Sequence, residues 1–180
     1  RAQQWREVLD LLNGNLKIQR ERGRKKARFL LHNGSMPEDV RKQLWKLTFM
    51  ETLADEERQL SLNLLLQAKD WEYCTKLGTY WLTPNSIIEK RLSSEISSFF
   101  AHHENPESLY LLHLLPGRDL TKLGTRLWNI LDTLKRILLW SKLPDIEYLD
   151  TIRIIARNFT DHSDKTVKSI AIEIVSMLRG

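Results

Sequence analysis

Trp5-Arg6-Glu7-Val8-Leu9-Asp10-Leu11-Leu12-Asn13-Gly14-Asn15 sets the reading of the chain. Trp5, Val8, Leu9 and Leu12 fall at i, i+3, i+4 and i+7, the spacing that lines one face of an α-helix. The pattern stops at Asn13-Gly14-Asn15, residues that favour turns. The same period recurs to the end of the chain. Leu16 to Leu31 is poorer in apolar residues and carries Gly23 in its middle, which predicts a helix that forms when docked. Ser35-Met36-Pro37-Glu38 reads as a capping box, with Pro in the first turn, opening a helix through Val40, Leu44, Leu47 and Phe49. Asp55-Glu56-Glu57 places acid at a helix start, where the macrodipole favours it. Leu60, Leu62, Leu64, Leu65 and Leu66 follow, apolar nearly all round, so this helix is expected to be central. Further helices are expected over 70–77, from Thr83-Pro84 through Ile87, Leu92 and Ile96 to Phe100, and from Asn105-Pro106-Glu107 to Leu115. The last three run over about 120–140, from Pro144-Asp145 to Phe159, and from Asp164, capped by Ser163, to Leu178. Alternation of period two is almost absent. The reading is an all-α fold of about nine short antiparallel helices, stacked as a right-handed superhelix or packed as an irregular bundle.

The composition is compatible with that reading and excludes several classes. With 180 residues, 42% hydrophobic, 7 Gly and 5 Pro, the chain suits one domain or a compact piece of a solenoid, not a disordered or low-complexity segment. One cysteine rules out an internal disulfide framework and a Cys-based zinc site, and fits a reduced intracellular compartment. No apolar run reaches the roughly 18 residues of a membrane span, and no secretory signal is read at residue 1.

Charge is unevenly placed. Residues 1–35 hold nine basic and three acidic side chains, a net of +6, whereas the other 145 hold 19 basic and 20 acidic, a net of −1. Arg20, Arg22, Arg24, Lys25, Lys26 and Arg28 pack six cations into nine residues. On a helix Arg20, Arg24 and Arg28 would form one row, and Arg22 and Lys26 another. Like charges at i, i+4 cost about 0.2–0.5 kcal/mol per pair, so something outside the helix is expected to compensate. The candidates are an acidic protein, nucleic-acid phosphates, anionic lipid, or an import receptor, which would favour the nucleus over the cytoplasm. With only Phe29 nearby, base stacking is not expected. Gly34-Ser35-Met36 has the form of a fusion junction before a start methionine, which would make residues 1–33 a separate or fused basic peptide and 36–180 the helical domain. The alternative is a natural Gly-Ser before a helix cap.

Two resemblances bear on the fold. Asp164-Lys165-Thr166-Val167-Lys168-Ser169-Ile170-Ala171, echoed by Asp39-Val40-Arg41 and more faintly by Asn85 to Leu92, resembles the second helix of a HEAT repeat. That implies helix pairs stacking because none buries its apolar face alone. Leu143-Pro144-Asp145-Ile146, Asp150-Thr151-Ile152 and His162-Ser163-Asp164, with Val167 and Ala171, look like the small N-terminal helical domain of transcription elongation factor TFIIS and its relatives, spanning residues 131–177. That resemblance implies docking of short disordered peptides from transcription factors. The glycine that family carries after the Thr-Ile turn is lacking.

Catalysis finds little support. Cys74 lies between Tyr73 and Thr75 and reads as a small buried side chain. His102 and His103 are adjacent and would point about 100° apart on a helix, which does not suit a shared metal. His113 lies among leucines as a packing residue, and His162 sits in a turn beside Asp161 and Asp164, where loop hydrogen bonding is expected. Asp145/Glu147 and Asp161/Asp164 fall at helix starts, where capping accounts for them. No GxGxxG, Walker-type, HExxH or GxSxG motif is present. We therefore expect no enzyme, cofactor, metal or small-molecule substrate. The expected role is an interaction or scaffold module of a multi-subunit complex, binding another protein through a helical groove. Trp5, Val8, Leu9 and Leu12 are the expected interface, either capping the array or docked as a ligand. The alternative is a nucleic-acid-binding domain using the basic run. Six tryptophans are numerous for this length, and one or two at a rim would serve as interface anchors.

Overall fold

The computed structural model describes residues 2–84, 88, 90–101, 106–140 and 146–179. These form ten α-helices, with no strand among them. The helices divide into two compact units, Arg1–Cys74 and Thr75–Gly180.

The first unit holds α1 (Ala2–Leu12), α2 (Lys17–Leu31), α3 (Glu38–Thr48) and α4 (Asp55–Gln67), with the start of α5 (Trp71–Trp81). α1 and α2 lie antiparallel, with Glu7 meeting Lys26 and Leu11–Leu12 meeting Gly23. Gly23 is therefore a packing glycine: a Cβ there would stand 3.1 Å from Leu11 Cβ and Leu12 Cδ2, so a larger residue would press the helices apart. Trp5, Val8, Leu12, Ala27, Leu30, Met36, Val40, Leu44, Leu64 and Leu65 fill the core. The capping box does not form. The N-cap of α3 is Pro37, with no side-chain cap, because the helix starts only at Glu38 and leaves Ser35 outside it. Arg41 instead holds the Met36 carbonyl and pairs with Asp70 at 2.7 Å. α4 begins on its three acids as expected and buries Leu62, Leu64, Leu65 and Leu66, while Leu60 is exposed.

The second unit holds the rest of α5 with α6 (Lys90–Phe100), α7 (Glu107–Leu114), α8 (Arg126–Trp140), α9 (Ile146–Arg157) and α10 (Lys165–Met177). α8 packs on both α6 and α10, burying Ile130, Leu131, Leu134 and Ile137. Two polar pairs lie in this interior: Ser97 and Thr133 share a 2.6 Å hydroxyl contact, and Trp81 Nε1 donates to Ser93 at 2.9 Å. The helix expected over 120–140 starts at Arg126, because Gly124 takes a left-handed φ of +60° that ends any earlier helical run. The cap of α10 is Asp164, not Ser163, its carboxylate accepting from the Thr166 and Val167 amides. The helix starts expected at Asn105 and Pro144-Asp145, the His102/His103 pair, Ile87, and much of the Asn85–Leu92 echo lie outside the described residues.

Candidate interaction surface on the basic helix

α2 sorts its six clustered cations into three environments. Burial of Ala27 and Leu30 fixes which face points inward, and Arg20 and Arg24 share that face. Both are buried, at 9% and 3% exposure, and both meet Glu57 of α4. Arg20 grips Glu57 bidentately: Nε contacts Oε1, and Nη2 donates to Oε2 at 3.0 Å. Its Nη1 donates to the Gly14 carbonyl at 3.1 Å, tying the α1–α2 turn to the same cluster. Arg24 Nη1 reaches Oε1 at 3.3 Å. The Arg20 hydrogen bond holds the Glu57 carboxyl below its ordinary range, and Glu57 in turn raises the Arg20 guanidinium. Arg20 and Arg24 are thus not available to an external anion, which corrects the expectation for these two. Their compensating charge comes from Glu57 of the same chain.

Lys26 turns sideways onto Glu7 of α1. Arg22, Lys25 and Arg28 point outward, and among the described residues none has a carboxylate partner. Two large apolar side chains share their outward face, Ile18 at 52% and Phe29 at 69% exposure. Ile18, Arg22, Lys25 and Phe29 stand at i, i+4, i+7 and i+11, one continuous row opposite the buried stripe. Leu16, 60% exposed, extends the row's N-terminal end. The two rows expected from charge spacing alone are thus replaced by a mixed cationic and apolar one. Its signal lies in the phase of Ala27 and Leu30, which already opposes Ile18 and Phe29.

The stripe expected as an interface, capping the array or docked as a ligand, packs within its own chain. Trp5, Val8 and Leu12 are buried in the first unit's core and Leu9 packs against it, so α1 spends this face on its own chain. Among the tryptophans, Trp128 and Trp140 are the exposed ones, at 39% and 53%, and Arg136 lies 5.9 Å above the Trp140 ring. Cys74 is buried. His113 is exposed rather than packed among leucines, because α7 turns it outward to the Tyr148 hydroxyl at 3.2 Å. His162 Nδ1 accepts from the Asp164 amide at 3.0 Å, the loop hydrogen bond expected of it. Among the described residues no group of three His, Cys, Asp or Glu could hold a metal ion, and no helix is long and apolar enough to cross a membrane.

No protein-family model matches the chain, and no curated protein or solved structure matches it either.

Proposed function

We propose that the protein is a non-enzymatic interaction module whose α2 docks an acidic partner protein along the row Ile18, Arg22, Lys25 and Phe29. The observation that carries this reading is the mixture in that row. Two cations without carboxylate partners among the described residues lie between two exposed apolar side chains, on a helix whose two inward arginines are already engaged by Glu57. Such a row complements an amphipathic acidic segment, which can bury Ile18 and Phe29 while meeting Arg22 and Lys25. A scaffold role within a complex accords with this, as do the antiparallel pair α1–α2 and the packed pair α3–α4, the kind of unit that a HEAT-like array stacks.

A nucleic-acid backbone is the weaker reading, because only three of the six clustered cations face outward. Their maximal contribution to the dependence of log affinity on log salt is a slope of about −2.7, taking about 0.9 per phosphate neutralised. The test compares the full chain with its Arg22→Glu/Lys25→Glu variant, using an acidic amphipathic peptide and a DNA duplex as probes. The expected result is peptide binding that the variant loses by at least about tenfold, and DNA binding that is weak and shallow in salt. Tight DNA binding with a steep salt slope, or peptide binding indifferent to the variant, overturns the proposal.

A further inference from the structure

The second unit carries a cleft of about 670 Å³ that the α2 reading does not use. That size falls among ligand sites and exceeds what one side chain fills. Its walls come from α6 (Ser94), the 121–125 turn, the first turn of α8 (Leu127, Trp128, Asn129) and the start of α10 (His162, Asp164, Thr166). Two of these residues set its chemistry. Trp128 is the large aromatic of the wall and is 39% exposed. Asp164 is the single Asp, Glu, Lys or Arg among the described lining residues.

The Asp164 carboxylate is oriented before any ligand arrives. Its Oδ1 accepts from Thr166 N at 2.8 Å, Thr166 Oγ1 at 2.6 Å and Val167 N at 3.3 Å. These hydrogen bonds, that of the Thr166 hydroxyl first, hold the carboxyl below its usual range, so it is ionised at neutral pH. Because Asp164 occupies these amides at the start of α10, the helix end offers no seat for an anion. An aromatic face and a fixed carboxylate lining one cleft suit a cation, which can lie over the indole while pairing with the acid.

Trp128 and Thr166 also line a second recess of about 360 Å³. There Lys135 and Glu173 pair at 2.7 Å, and Asp132 is paired with Arg136 at 3.2 Å, leaving Lys165 as the lining charge without a partner among the described residues. Two recesses that share Trp128 and Thr166 as wall residues suit an extended chain better than a compact small molecule. Guanidinium is the cation that presents both a flat face to an indole and a fork to a carboxylate.

We infer that the groove between α8 and the start of α10 docks an extended segment of a partner protein, seating an arginine of that segment between the Trp128 ring and the Asp164 carboxylate. The test follows the full chain by amide and indole NMR shifts while it is titrated with a short capped glycine peptide carrying one central arginine. The same peptide with citrulline, the uncharged isostere, is the control. The expected result is saturable shifts at the Trp128 indole N–H and at residues 164–167, with affinity at least about tenfold weaker for citrulline. Asp164→Asn, which keeps a capping side chain, should lose the arginine preference while its melting temperature stays near that of the wild type. Trp128→Leu should weaken binding in the same way. Equal binding of the citrulline peptide, an arginine preference that survives Asp164→Asn, or no shift at about 10 mM peptide overturns the inference.

Discussion

Glu57 serves two guanidiniums with one carboxylate, and that imbalance predicts how each partner responds to substitution. Removing the acid leaves Arg20 and Arg24 buried without a counter-charge, so Glu57→Gln should destabilise the protein by about 3–5 kcal/mol in denaturant melts. The two arginines are not equivalent. Arg20 makes both contacts of the bidentate pair, whereas Arg24 makes one at 3.3 Å and its Nη2 has no hydrogen-bond partner among the described residues. Arg24→Met should therefore stay within about 1 kcal/mol of the wild type, while Arg20→Met costs clearly more. Equal losses would contradict this division. The pH dependence has a definite sign. Because the folded Glu57 carboxyl lies below its ordinary value of 4.5, its contribution is present above that pH and is lost as pH falls through the folded value. The stability gap between wild type and Glu57→Gln should thus narrow as the medium is acidified below pH 4.5, and a gap constant down to strong acid would count against the cluster.

At the scale of the element, close approach and capping make two contrasts. Gly23→Ala would ordinarily gain about 1 kcal/mol in a helix interior, but the 3.1 Å approach of Leu11 and Leu12 should cancel that gain, and Gly23→Val should destabilise by more than about 1 kcal/mol. A thermal melt showing a stabilised valine variant would mean that α1 and α2 do not meet at this glycine. Asp164→Ala removes the cap of α10 and should cost about 1 kcal/mol, while Asp164→Asn should be nearly neutral. Both contrasts mark the limit of what helical period reveals. The spacing of Trp5, Val8, Leu9 and Leu12 is enough to predict α1 and its buried face. It cannot place the start of α8, which depends on a single left-handed φ at Gly124, nor that of α3, which Pro37 sets two residues beyond Ser35. Which cations on α2 turn inward was likewise beyond charge spacing, because the partner is 37 residues away at Glu57.

Across the whole molecule, the charge that looked concentrated is partly answered within its own unit. Residues 1–74 hold 14 basic and 11 acidic side chains, a net of +3, and residues 75–180 hold 14 and 12, a net of +2. The +6 of the first 35 residues is thus offset by the acids of α3, α4 and their flanks, with Glu57 the buried one. What remains outward on α2 is a short cationic row with apolar members, the feature on which the proposed docking of an acidic partner rests. The most direct measurement is a site-resolved NMR titration of the full chain with an acidic amphipathic helical peptide, read at Ile18, Arg22, Lys25 and Phe29. The account predicts saturable shifts centred on those four residues, lost in Arg22→Glu/Lys25→Glu without a change in melting temperature. Shifts that fall elsewhere, or that persist in the charge-reversed variant, would contradict it.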